Sequence, residues 1–265
     1  MDTNLLIKKT ELFVLDMDGT FYLGDKMIPG SDTFLKKVVE TGKRYIFFTN
    51  NSSKNKTLYV DKLAKMGVNI TKDMIYTSGD VTQAYLNRFY PGKSVCLLGT
   101  KALYDSFRAY GINVNDDPAA PADIVVCAFD MELTYERLRC ACDHIRNGAV
   151  YIATHPDINC PTEAGFIPDC GAMIAAINLS TGKTPRILGK PYPETVEMIS
   201  EICKVPKENT AFVGDRLYTD VACGVKNGAL GFLVLSGEAT LSDIEESDVK
   251  PHAVFKDLKE ISTYL

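Results

Sequence analysis

Four aspartates, one lysine and a threonine–asparagine pair are spaced along this chain in a way that suits phosphoryl chemistry. Asp16 and Asp18 stand two residues apart in ELFVLDMDG, and an extended backbone there turns both side chains to the same side. Thr49 and Asn50 close the run RYIFFTN, Lys190 lies in LGKPYPETVEMI, and Asp215 and Asp220 follow the apolar run TAFVG. Carboxylates gathered without histidine or thiolate are hard oxygen ligands, which suit Mg²⁺ better than zinc. Mg²⁺ completes its octahedron with waters and a phosphate oxygen. A phosphoryl group needs its charge neutralised and its oxygens held, a task for Mg²⁺, Lys190, the Thr49 hydroxyl and turn amides.

The elements that must present these residues alternate between apolar, β-branched runs and amphipathic segments of helical length, the order of a parallel sheet wrapped by helices. The fold class is α/β. Residues 11–18 read as a buried first strand, because both faces stay apolar until the aspartates arrive. A first helix over 31–43 takes Ser31 as its N-cap and Gly42 as its stop. A second strand covers 44–50, a helix 56–67, a short strand 75–78, a strand 210–215, a helix 220–228, and further strands 231–237 and 252–255. Lys190 precedes a helix opened by proline. Between Gly79 and Thr184 a separate alternation runs through helices at 79–89, 100–110, 134–147 and 171–181 with strands SVCLLG, IVVCAF and AVYIAT between them. The expected organisation is a core domain of 1–78 plus 185–265, Rossmann-like with a parallel sheet, interrupted by a smaller α/β domain at 79–184. In an open sheet of this kind ligands bind beyond the carboxyl ends of the strands, where the polar residues sit.

Bulk properties exclude several classes. The 265 residues, 46% hydrophobic with a formal charge of −5, describe a globular protein without the basic surface that nonspecific nucleic-acid binding requires. No basic and then apolar leader opens the chain and no run approaches the length of a membrane span, so the expectation is a cytoplasmic protein with no membrane partner. The eight cysteines are scattered without a C-x-x-C pair, and several sit inside strand-like runs, so neither a thiolate metal site nor a disulfide framework is expected.

DMDGT (16–20), FFTNNSS (47–53), GKPYPE (189–194) and VGDRLYTD (213–220), in that order, resemble the four motifs of the haloacid dehalogenase superfamily. The TNNSS and GKPxPE forms, with a large insertion between them, are similar to its NagD-type, or 4-nitrophenylphosphatase-like, branch. The resemblance implies that Asp16 attacks phosphorus to form an aspartyl-phosphate and that Asp18 moves the protons. It implies that Mg²⁺ is held by Asp16, the Asp18 carbonyl and Asp215, and that Thr49, Asn50 and Lys190 grip the phosphoryl oxygens. Asp220, Gly19 and Asn51 support them. FYLGDKMIPG matches the family's hairpin flap. Residues 79–184 match its C2-type cap, which reads the leaving group and offers a homodimer surface. Within that cap Asp157, His155, Cys170 and Gly171 are the candidates for substrate contact. His155 stands where many relatives carry asparagine.

Each residue also has a plainer reading. D-G between apolar runs is a hairpin signal, Asp220 is equally an N-cap, His155 a hydrogen-bonded loop residue and Cys170 packing. The ordered set, rather than any single member, carries the functional reading. It points to Mg²⁺-dependent hydrolysis of small phosphorylated metabolites such as sugar phosphates, nucleoside monophosphates and 4-nitrophenyl phosphate. The alternatives are a phosphotransferase or mutase on the same residues, and a non-catalytic protein that binds a phosphoryl ligand. A dehalogenase would not need the second aspartate, and a pump ATPase would carry threonine at position 18.

Overall fold

In a computed structural model, residues 2–162 and 165–265 are described. Strands follow in chain order as β1 (Leu12–Leu15), β2 (Tyr22–Leu23), β3 (Lys26–Met27), β4 (Arg44–Thr49), β5 (Ile75–Thr77), β6 (Ser94–Leu98), β7 (Asn113–Val114), β8 (Ile124–Cys127), β9 (Val150–Ala153), β10 (Asn159–Thr162), β11 (Gly165–Pro168), β12 (Arg186–Ile187), β13 (Thr210–Gly214), β14 (Leu230–Val234) and β15 (Ala253–Phe255). The chain divides into two compact units. One holds the chain up to Thr49, Lys56–Tyr76 and Lys190–Leu265, and the other holds Asn50–Asn55 and Thr77–Gly189. Compared with a division at 79 and 184, the second unit also takes in Thr77, Ser78, residues 185–189 and the short segment after Thr49.

The first unit is built on a six-stranded sheet in the order β15-β14-β13-β1-β4-β5. β1 runs parallel to β13 on one side and to β4 on the other, with Leu15 level with both Val213 and Phe47. That register brings the carboxyl ends of three strands side by side, so Asp16 follows the central one, Thr49 ends one neighbour and Asp215 follows the other. The chain leaves β1 in one direction and returns on the other side, the switch point at which open sheets bind ligands. All four residues of β1 are buried, which explains its uninterrupted apolar run. Phe13, Leu15, Phe34, Phe47 and Phe232 share one core, with Phe13 and Phe34 edge-on at 5.3 Å. β2 and β3 form the expected antiparallel hairpin just after the aspartates.

Two local expectations are corrected. Ser31 does not cap the helix Ser31–Glu40. Gly30, at φ +90°, holds the N-cap position, and Ser31 lies fully buried in the first turn. A β-carbon at Gly30 would come within 2.7 Å of the Lys259 side chain, so close packing as well as φ favours glycine there. Residues 220–228 are not one α-helix. Leu217–Val221 forms a π-helical turn that leads into Ala222–Lys226. Asp220 therefore sits inside a helical turn and caps nothing.

The second unit carries a five-stranded sheet, β12-β9-β8-β6-β7, whose paired strands run parallel. β10 and β11 pair antiparallel beyond it. Each contains a proline and neither alternates apolar with polar residues, so strand periodicity could not reveal them. All eight cysteines are free and six are buried, including Cys127 and Cys170. Among the described residues no helix is long and apolar enough to cross a membrane.

Candidate active site

In the first unit, β1 ends where Asp16 begins, and the Asp16 amide still donates to the Val213 carbonyl at 2.9 Å, so the sheet fixes its backbone. The Lys190 ammonium reaches Asp16 Oδ1 at 2.7 Å and also binds Asp220 Oδ1 and the Phe48 carbonyl, at the end of β4. Lys190 directly precedes a cis proline and the helix Pro193–Cys203, which opens with proline at its first turn. Asp16, Asp215 and Asp220 each offer an oxygen within 4.8 Å of the others. Lys190 and Asp220 have side chains only 4% and 3% exposed, whereas Asp16 keeps 17% of its side chain accessible. Of the three carboxylates only that of Asp16 is not fully buried.

Asp215 is closely confined. The Glu238 amide donates to its Oδ2 at 2.8 Å, and the Thr20 hydroxyl lies 3.5 Å from its Oδ1. A β-carbon at Gly19 would stand 2.3 Å from Asp215 Oδ2, and one at Gly237 would stand 2.0 Å from it. Gly19 also has φ +82°, so two independent constraints keep that position glycine. Ser236 closes the same corner by donating to the Gly19 carbonyl at 2.8 Å. Asp220 packs against Gly214, and the Thr219 hydroxyl donates to its Oδ2 at 3.1 Å. Asp18 is exposed, and its backbone bridges to Tyr22 of the hairpin.

Electrostatics follow from this crowding. Burial pushes the Asp16 carboxyl up to about 8, with Asp220 and Asp215 adding to the rise and Lys190 opposing it. Asp215 rises to about 6, again chiefly from burial, with Asp220 adding and the Glu238 amide opposing. Burial pulls the Lys190 ammonium down, but Asp16 and Asp220 more than offset it, and its pKa lies above the ordinary lysine range. Asp16 and Asp220 thus share one ammonium, Asp215 lies beside them, and the all-oxygen donor set of the three fits a small hard divalent cation.

A family model of haloacid dehalogenase-like hydrolases matches residues 13–113, and a second, HAD-hydrolase-like, matches 187–261. The chain is 34% identical over 254 residues to an acid sugar phosphatase of Staphylococcus aureus, covering 96% of this chain and 97% of that one. It superposes on a 4-nitrophenylphosphatase from Thermotoga maritima with a TM-score of 0.92 at 49% identity, over 97% and 98% of the two chains. The chain belongs to the haloacid dehalogenase-like hydrolases. NagD of E. coli is a further match, with a TM-score of 0.88 at 29% identity over 95% and 98% of the chains. With these relatives, the protein is a phosphatase of the NagD-like branch.

Within this phosphatase the expected residues are distributed over both units. Asp16, Lys190, Asp215 and Asp220 form one contact group, with Thr49 closing the strand beside Asp16. Asn50 belongs to the second unit, where its side-chain amide donates to both oxygens of Asp157 at 3.3 Å. Asn51 accepts from the backbone amide of Ser53 at 3.0 Å and from its hydroxyl at 2.7 Å, which shapes the turn. His155 and Cys170, expected to contact substrate, are both 0% exposed and present no surface to a ligand. Asp157 is half-buried, and its carbonyl accepts from the Gly171 amide at 2.7 Å. A β-carbon at Gly171 would fall 2.3 Å from the Pro156 carbonyl, so glycine there serves loop packing. Sequence reasoning missed Ser236, Gly237 and Glu238, which confine Asp215 from the far end of the chain. The only signal was a Ser-Gly-Glu run closing the strand after the fourth motif.

Proposed function

We propose that this phosphatase hydrolyses small phosphate monoesters such as sugar phosphates, nucleoside monophosphates and 4-nitrophenyl phosphate with Mg²⁺ bound, by way of an aspartyl-phosphate on Asp16. The observation that carries the reading is the Asp16 carboxylate itself, partly open at the end of the central strand and held by Lys190 beside two further carboxylates. Asp16, Asp215 and the Asp18 carbonyl would hold the ion, with Asp220 supporting, and the bound cation would offset carboxylate and phosphate charge so that one anion can approach another.

An Asp16 carboxylate oxygen attacks phosphorus, the bond from phosphorus to the ester oxygen breaks, and Asp18 gives that oxygen its proton. Asp18, now deprotonated, takes a proton from the water that attacks the aspartyl-phosphate. The bond from phosphorus to Asp16 breaks, and both side chains return to their starting state. An exposed Asp18 suits a group that gives a proton to the leaving ester oxygen and then takes one from the attacking water. Lys190 and the Thr49 hydroxyl hold the phosphoryl oxygens. The choice among leaving groups falls to the second unit.

The test is Asp16→Asn. Turnover of 4-nitrophenyl phosphate should vanish while thermal unfolding stays within a few degrees of the parent. Rapid quench of the parent should leave phosphate on the peptide containing Asp16. Parent-like turnover in the variant would overturn the mechanism.

A further inference from the structure

The second unit contains a buried polar cluster that the reaction as described does not use. The His155 ring is wholly buried, with Nε2 2.9 Å from Asp169 Oδ1 and Nδ1 2.8 Å from the Thr154 hydroxyl and 3.3 Å from the Ser78 hydroxyl. Asp169 caps the helix Cys170–Thr181 and accepts the Cys170 amide on the same oxygen. The Ser78 hydroxyl donates to the Asn50 carbonyl. Thr154 in turn lies 3.4 Å from the Ser52 hydroxyl. The ring therefore joins four pieces of chain: the turn from Asn50, the start of the helix Ser78–Phe89, the end of β9, and the cap of the helix from Cys170.

Counting protons fixes where the Ser78 hydrogen goes. A carboxylate only accepts, so Nε2 must carry a hydrogen toward Asp169. Nδ1 has the Thr154 hydroxyl as its nearer partner at 2.8 Å, so it either carries a hydrogen of its own or has its lone pair filled by Thr154. In both cases it does not compete for the single Ser78 hydrogen, which goes to the Asn50 carbonyl. Burial pulls the ring's pKa down, but Cys170, Asp169 and Asp157 outweigh that and raise it to about 9.

Asn50 is consequently held at both ends, its carbonyl by Ser78 and its side chain by Asp157. It also directly follows Thr49 in the chain. We infer that His155 is a positioning residue for the phosphatase reaction: anchored by Asp169 and Thr154, it leaves the Ser78 hydroxyl aimed at the Asn50 carbonyl and so sets the turn that follows Thr49. The inference rests on the proposed role of Thr49 in holding the phosphoryl group, and it concerns orientation rather than contact with substrate.

Two isosteric variants separate the arms of the ring. An asparagine amide reaches the place of Nδ1, and a glutamine amide reaches that of Nε2. His155→Asn keeps the arm toward Ser78 but leaves the Asp169 carboxylate buried without its partner, so it should lose more thermal stability and keep most of kcat on 4-nitrophenyl phosphate. His155→Gln keeps the Asp169 pair and should lose less stability, yet lower kcat about tenfold with KM little changed, because misorientation costs more in the transition state than in binding. Ser78→Ala should match His155→Gln in kcat. Hydrogen exchange at the amides of residues 50–53 should speed up in His155→Gln and Ser78→Ala and stay near parental in His155→Asn. Activity that simply tracks melting temperature across the three variants, or parental kcat in His155→Gln, would overturn the inference. A parent with no turnover would defeat the functional reading instead, and the exchange data would still judge the positioning.

Discussion

Gly237→Ala adds one methyl group and no charge, far from the reacting atoms in sequence, yet the geometry predicts a specific defect in metal binding. Its β-carbon would lie 2.0 Å from Asp215 Oδ2, whereas real β-carbons keep at least 3.0 Å, so the carboxylate must retreat by about 1 Å. Gly237 does not have a positive φ, and alanine therefore fits the backbone without strain. Retreat also breaks the 2.8 Å hydrogen bond from the Glu238 amide that orients this oxygen. Mg²⁺ tolerates little error in ligand position, and loss of an orienting partner typically weakens a metal site about 10- to 100-fold. Each factor of ten is about 1.4 kcal/mol of binding free energy. Half-saturation of 4-nitrophenyl phosphate turnover by Mg²⁺ should therefore shift upward about 10- to 100-fold, and overpacking should lower stability in chelator by about 1–3 kcal/mol. A folded variant with half-saturation within twofold of the parent would refute the claim that Asp215 is confined by this glycine.

Lys190→Met replaces the ammonium with an apolar chain and leaves Asp16 and Asp220 crowded beside Asp215 without the cation that binds them. The loss of stability should reach about 3 kcal/mol near pH 8 and shrink near pH 5, where the carboxyls protonate. Urea melts at the two pH values check it, and an equal loss at both would count against the charge argument. In the parent protein the pH dependence has a defined sign. Asp16 and Asp215 rise from 3.8 to about 8 and about 6, so their contribution to stability is complete below about pH 4 and is lost as pH climbs through 6 and then 8. His155, raised from 6.5 to about 9, acts in the same direction but gives way only at the top of that range. Melting temperature in EDTA should fall between about pH 5 and pH 8.5. Stabilisation by Mg²⁺ should grow over the same interval, because the ion competes with protons for the carboxylates. A Mg²⁺-induced shift that does not vary with pH would contradict the carboxylate assignment.

The legible parts of the fold were those with strong local signals. β1, β4 and β13 announce themselves as apolar runs ending in Asp16, Thr49 and Asp215; β1 and β13 are buried throughout and β4 at Ile46, Phe47 and Phe48, as central parallel strands are. The hairpin β10–β11 and the two-residue edge strands β7 and β12 gave no period to detect, since pairing with neighbours rather than side-chain alternation defines them. Asp220 read equally as a cap or a site residue, and only the π-helical turn, with Lys190 against its carboxylate, separates the two. His155 read as a hydrogen-bonded loop residue or a substrate contact, and nothing local signals that Asp169 and Ser78 will close around it.

Residue types and motif order thus determined by themselves that this chain is a haloacid dehalogenase-like phosphatase, because strand periodicity and the four short motifs are local properties. Which groups share a proton, a lysine or a metal-sized space was decided only in three dimensions. The Lys190 bridge between Asp16 and Asp220, the glycine walls around Asp215 and the enclosed His155 ring join residues distant in sequence. Their pKa shifts arise from burial and from neighbours that the chain supplies only once it is folded.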